Sequence, residues 1–140
     1  MINSRILLSL SVVLMIAGCA STGMESTTES KEKPTQHLKV DDVTTMAEAE
    51  KIFIEKTSEI RAKTKLDVAE LQEIHFITYR LEKSVAYFAE NLKGERQALA
   101  QDIAVVVEDI HINSEDNRKE KTQQHLKNYF ELADKLISGF

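Results

Sequence analysis

The chain has 140 residues, which is enough for one domain, and it carries 18 basic against 23 acidic side chains for a formal net charge of −5. An acidic chain without a Lys/Arg cluster is a poor partner for nucleic acid or for an anionic lipid surface. The single cysteine, Cys19, excludes an internal disulfide, so the fold must rest on its hydrophobic core.

The first 18 residues predict a targeting segment. One basic residue, Arg5, precedes the apolar run ILLSLSVVLMIAG at positions 6–18. This run is shorter than the roughly 20 residues that a membrane-spanning helix requires. Residues 1–18 are therefore expected to be a cleaved signal peptide and are left out of the fold prediction.

The end of this segment, Ile16-Ala17-Gly18-Cys19, resembles the lipobox of bacterial lipoproteins. The resemblance implies cleavage between Gly18 and Cys19, a diacylglycerol on the Cys19 sulfur and acylation of the new amine. Two or three acyl chains hold a soluble domain firmly on a bilayer. Ala20 in place of an aspartate implies sorting to the outer membrane of a Gram-negative bacterium, with the domain facing the periplasm. The alternative is a buried cysteine that ends an uncleaved anchor.

Residues 19–42 predict a flexible tether. The segment is rich in Ser, Thr, Glu and Lys and contains the only proline of the chain, Pro34. Such a composition buries too little apolar surface to offset the entropy of ordering. The folded domain is therefore expected to span residues 43–140.

Within this domain, apolar residues recur every three or four positions, which is the spacing of one helix face. The pattern predicts helices at about residues 45–63, 68–92, 95–112 and 115–138. Thr44 or Thr45 is placed to cap the first helix, Asp67 with Glu70 the second, and Ser114 the last. The core face of the third helix is predicted to carry Leu99, Ile103, Val106 and Ile110.

The short connections predict an all-α, antiparallel up-down-up-down four-helix bundle. Gly94 suits the left-handed residue that ends a helix. In the alternative, the second and third helices are continuous through Gly94, at a cost of about 1 kcal/mol, and form a dimer that covers the exposed apolar face. Phe76, Tyr87 and Phe88 lie partly off the core stripe of the second helix, where they meet either a neighbouring helix or a partner protein of the envelope.

Two similar strings carry the candidate site residues. EIHFITYRLE at 73–82 lies on the second helix, and EDIHINSE at 108–115 ends the third. These strings resemble a family of small exported helical proteins of unknown function that share a Glu-Ile-His-x-x-Thr-Tyr-x-Leu-Glu string and a Glu-x-x-His-x-x-Ser-Glu string. The resemblance implies a helical fold and assigns no activity.

A turn near residues 93–94 places His75 and His111 at the same level of the bundle. On the second helix, His75 and Glu82 flank the core stripe and Tyr79 lies on the same side. On the third helix, His111 lies at the edge of the bundle, about 140° from the centre of the predicted core face, and Glu108 points away.

Two interpretations of these residues remain open. In the first, a mononuclear zinc or copper site uses His75, His111 and Glu82. Glu108-x-x-His111 has the spacing found in di-iron bundles, but the second copy that such sites need is missing. In the second interpretation, the same side chains form a buried hydrogen-bonded layer, with His75 on Glu82 or Tyr79 and His111 on Ser114 or a carbonyl.

No catalytic pattern stands out, because the sequence lacks a Gly-rich phosphate loop, a Gly-x-Ser-x-Gly elbow and a pair of carboxylates in a recognisable cleft. A Cys-x-x-Cys-His string, which covalent haem requires, is also missing. No cofactor is predicted apart from the lipid on Cys19, with a metal ion or non-covalent haem as the alternative. We therefore expect a non-enzymatic, lipid-anchored domain with a binding or structural role.

Overall fold

The computed structural model describes residues 39–140 and shows four α-helices. These are α1 (Met46–Arg61), α2 (Val68–Asn91), α3 (Gly94–Glu115) and α4 (Lys119–Ile137). Each helix packs on the next along the chain, and α1 also meets α4. The predicted all-α fold is confirmed, whereas the predicted signal peptide, Cys19 and most of the tether lie outside the described residues.

Side-chain caps begin the first two helices as predicted. Thr45 is the cap of α1, and its hydroxyl accepts a hydrogen bond from the Glu48 amide at 3.2 Å. Asp67 caps α2 by accepting from the Glu70 amide at 3.0 Å, and the Glu70 carboxylate in turn accepts from the Leu66 amide at 2.8 Å. This reciprocal pairing satisfies amides that a helix start otherwise leaves without partners.

The second and third helices are separate, so the continuous-helix alternative is wrong. Leu92 and Lys93 adopt extended conformations between them, and Gly94 has a φ of +60°. This left-handed conformation suits glycine because it has no Cβ. The reversal brings α3 back along α2, where the Gln97 side chain donates to the Ala89 carbonyl at 2.8 Å.

The connection between α3 and α4 lies three to four residues later than predicted. Ser114 does not cap the last helix, since its hydroxyl donates to the His111 carbonyl within α3 at 3.0 Å. The helix continues to Glu115, and the chain reverses at Asn117, whose φ is +54°. Asparagine tolerates this conformation better than most residues.

The core is built around aromatic rings from three helices and the chain end. Phe53 of α1 contacts Phe88 of α2 edge-on at 5.6 Å between ring centroids, and Tyr129 of α4 at 6.3 Å. Phe140 packs on Phe88 at 5.3 Å. Phe88 thus meets neighbouring parts of the same domain, whereas Phe76 stays 46 % exposed.

The core face of α3 is rotated relative to the prediction. Ile103, Val106 and Ile110 are buried as expected, but Ala100 and Val107 are fully buried as well. At about 100° per residue, these two additional positions widen the buried face towards His111. His111 is consequently only 8 % exposed instead of lying at the edge of the bundle. Within residues 39–140, no helix combines the length and apolarity needed to cross a bilayer.

Candidate metal centre

The two histidines face each other across the α2–α3 interface, as their predicted register requires. Their ring centroids are 4.6 Å apart and the ring planes are inclined by 72°. His75 is fully buried and His111 is 8 % exposed. Two imidazoles in contact inside a small bundle place two potential nitrogen ligands close together.

The Nδ1 atom of His111 has two partners on α2. Glu82 Oε1 lies 2.7 Å away and Thr78 Oγ1 lies 3.0 Å away. The single proton of the Thr78 hydroxyl is donated to the His75 carbonyl at 2.6 Å, so this oxygen accepts from His111. Glu82 Oε1 lies close to the same nitrogen without forming a hydrogen bond to it. Because the Thr78 oxygen is the acceptor, Nδ1 carries the ring proton, and the lone pair of the neutral imidazole lies on Nε2.

His75 is oriented from its own helix. The Tyr79 hydroxyl lies 3.3 Å from His75 Nε2, and the Tyr79 ring packs edge-on against both imidazoles. Of the two partners predicted for His75 in a polar layer, Tyr79 is the one in contact. The alternative pairing of His75 with Glu82 is replaced by the contact between Glu82 and His111, because α3 is rotated towards α2.

Glu82 carries its charge in a half-buried position, with a side chain that is 31 % exposed. Burial raises the pKa of the Glu82 carboxyl above its usual range, and the adjacent His111 opposes that rise. Glu108 adds a smaller repulsive contribution to the pKa of Glu82. The ionised form of Glu82 thus depends on its contact with the imidazole.

A third ligand-capable group joins the two histidines. One ligand atom each from His75, His111 and Glu115 lie within 4.8 Å of one another. Glu115 is half-buried and is the last residue of α3, four positions and about one turn after His111. Among residues 39–140, this is the one such group of three histidine, cysteine or acidic residues.

Glu82 was the predicted carboxylate of the site, and Glu115 was missed. A usable signal was present, because Glu115 closes the second string and lies at i+4 from His111. The prediction that α3 ends at 112 removed Glu115 from that helix face. Glu108, the other predicted acidic residue, is exposed on α3 and lies outside the group.

Two imidazole nitrogens and one carboxylate oxygen are typical donors for Zn²⁺ and related divalent ions. Ligands about 2.1 Å from a tetrahedral ion lie about 3.4 Å apart, so the side chains must close by roughly 1 Å to share one ion. Glu115 can supply much of this movement because it ends its helix. The group of His75, His111 and Glu115 could thus hold a metal ion.

A family model matches most of the chain. Residues 6–138 match the model of a family of unknown function, DUF6746. Both histidine strings lie inside the matched range. No curated protein matches the chain, and no solved structure does.

Proposed function

The chain belongs to DUF6746, a family of unknown function, and we propose from its own residues that the helical domain binds one divalent transition-metal ion through His75, His111 and Glu115. The convergence of these three donors carries the proposal. Glu82 supports it, since a metal-binding histidine usually donates its other ring N–H to a carboxylate or carbonyl. The proposal assigns no reaction to the domain.

The competing interpretation is a polar layer that only fixes the register of α2 and α3. Thr78 and Tyr79 already supply hydrogen bonds within such a layer, and Glu82 lies beside His111. Glu115 adds a third donor that the register does not require. The geometry also favours an ion over haem, because rings 4.6 Å apart leave no gap for a macrocycle between them.

Metal content and Zn²⁺ titration test the proposal. The full-length chain carrying Cys19→Ser is purified without chelator, so that no thiol contributes to binding, and the bound metal is quantified. Removal of one ligand by Glu115→Gln should weaken Zn²⁺ binding at least about 10-fold. His111→Gln should do the same through the loss of an imidazole donor.

The matched control is Glu95→Gln, which makes the same change at an exposed position in the first turn of α3 and should bind Zn²⁺ like the Cys19→Ser parent. Circular dichroism verifies that each variant is helical. Equal Zn²⁺ affinity in the Glu115→Gln and Glu95→Gln proteins would contradict the proposed site and leave the polar layer as the better explanation.

We also propose that the protein is a lipoprotein, anchored through Cys19 in the outer membrane with the helical domain in the periplasm. The supporting observation is the sequence Ile16-Ala17-Gly18-Cys19 after a short apolar run. On this proposal the domain meets its ion and any protein partner in the cell envelope. Radiolabelled palmitate should enter the wild-type protein, while Cys19→Ser should remain an unlabelled precursor; label in that variant would contradict the anchor.

A further inference from the structure

The candidate centre offers fewer ligands than a divalent ion normally takes. His75, His111 and Glu115 provide three ligand atoms, whereas structural zinc sites are closed by four protein ligands. Sites with three protein ligands instead complete the coordination sphere with water or another exchangeable molecule. The donor set therefore resembles the open class of metal site.

The other acidic side chains around this end of α3 are already engaged or face outward. Glu82 lies on His111 Nδ1 at 2.7 Å, Asp116 pairs with Arg118 at 2.8 Å, and Asp109 lies 3.4 Å from His125. Glu108 is exposed. The nearby Tyr79 offers a phenol oxygen, which is not among the usual donors of zinc. Among residues 39–140, no fourth histidine, cysteine or acidic side chain joins the group.

The three donors differ in their access to solvent. His75 is fully buried on the α2 side, while Glu115 is half-buried at the last residue of α3. An added ligand can therefore reach the ion from the end of α3. A divalent ion with one carboxylate and two neutral imidazoles keeps one positive charge, so a small anion neutralises it best.

The domain has a source of stability apart from the candidate centre. The aromatic core of Phe53, Phe88 and Tyr129 is formed by residues outside that centre. This differs from small domains whose metal site is their main source of stability.

From these observations, and resting on the proposed metal binding, we infer that the ion keeps an open coordination position that takes a small monodentate anion in exchange for water. The centre is then an exchangeable site beside a core that other residues form. The ligand expected at the open position is a small anion or an anionic side chain that enters beside Glu115.

Cobalt and azide provide the test, because the visible d–d bands of Co²⁺ report its coordination. The Cys19→Ser full-length chain is loaded with Co²⁺ and titrated with sodium azide, with sodium perchlorate at equal concentration as a non-coordinating control. Equilibrium dialysis measures the bound Co²⁺ at each point. The expected result is a saturable spectral shift with azide, unchanged Co²⁺ content and no shift with perchlorate.

The Glu95→Gln variant should show the same shift as the Cys19→Ser parent. If Co²⁺ binds but its spectrum does not change with azide, the open position is contradicted and the metal site is not. Absence of Co²⁺ binding would overturn both proposals. Loss of helical circular dichroism in the metal-free protein would show a structural ion and would overturn the exchangeable site.

Discussion

At the scale of single residues, the hydrogen bond at Nδ1 of His111 leaves the other ring nitrogen able to bind a metal ion. Thr78 donates its only proton to the His75 carbonyl, so its oxygen accepts the Nδ1 proton of His111, and the Glu82 carboxylate lies 2.7 Å from the same nitrogen. The other ring nitrogen then keeps its lone pair before any ion arrives. Glu82 acts on the ion through His111 and is a positioning residue.

Glu82→Gln should therefore weaken Zn²⁺ binding by about 10- to 100-fold, because the amide holds the imidazole less strongly and lowers its basicity. A competition titration against a Zn²⁺ indicator measures the change. Glu90→Gln, an exposed change on the same helix, is the control and should bind like its parent. If both variants keep the parent affinity, Glu82 does not support the metal centre.

The buried pair of Tyr129 and Thr57 makes the stability of the domain depend on pH. Tyr129 is fully buried, and its hydroxyl lies 2.6 Å from Thr57 Oγ1. Burial raises the pKa of the Tyr129 phenol in the folded state, whereas an unfolded tyrosine has a pKa of about 10. The folded state holds this proton more tightly, so the associated stability is complete below pH 10 or so and is lost as the pH rises further.

Tyr129→Phe should remove that alkaline loss and should lower the free energy of unfolding at pH 7 by about 1 kcal/mol, since Thr57 loses its partner. Urea unfolding between about pH 7 and pH 11 measures both effects. Tyr87→Phe, at a half-buried position, controls for the other groups that titrate in this range. Identical pH profiles for the two variants would contradict the role of Tyr129.

At the scale of the helices, the sequence predicts beginnings better than ends. Thr45 and Asp67 act through side-chain acceptors that have a clear sequence signature. The end of α3 depends on Asn117, a left-handed residue whose signature is weak, while Ser114 looked like a cap and instead bonds within the helix. Because the third helix was predicted to end three residues too early, Glu115 was not predicted as a residue of the site.

The break between α2 and α3 depends on one residue, Gly94, and substitution of that residue tests it directly. A Cβ on Gly94 would have no heavy atom within 4 Å apart from the local backbone, so the cost of a side chain comes from the φ of +60° alone. Gly94→Ala should lower the free energy of unfolding by about 1 kcal/mol, and Gly94→Asn by less, because asparagine tolerates the left-handed region. Urea denaturation of the two variants separates these effects. An alanine variant as stable as the parent would argue against a strained turn.

At the scale of the whole domain, the helical period was enough to predict the fold class but not the rotation of each helix. The face of α2 was correct because Leu71, Ile74 and Leu81 form one apolar stripe. α3 has apolar residues on several sides, with Val105 65 % exposed and Val107 fully buried, so its sequence does not define one core direction. Packing against α2 and α4 sets the rotation of α3 about its axis, and this rotation buries His111.

The aromatic core should carry a large share of the stability, and two phenylalanines of α2 allow a matched comparison. Phe88 is fully buried against Phe53 and Phe140, whereas Phe76 is 46 % exposed and touches the His75 ring at 5.4 Å between centroids. Phe88→Ala should cost about 3–5 kcal/mol, through lost burial and the cavity that remains. Phe76→Ala should cost about 0.5 kcal/mol, as is usual for a surface change.

Thermal and urea unfolding followed by circular dichroism measure both variants. Domains of this size have total stabilities of about 5–15 kcal/mol, so Phe88→Ala removes a large fraction and should leave the domain partly unfolded near 37 °C. If Phe88→Ala fails to fold, Phe88→Leu retains most of the volume and should show a smaller loss in the same direction. Equal losses for Phe76→Ala and Phe88→Ala would mean that the interface between α1, α2 and the chain end does not hold the domain together.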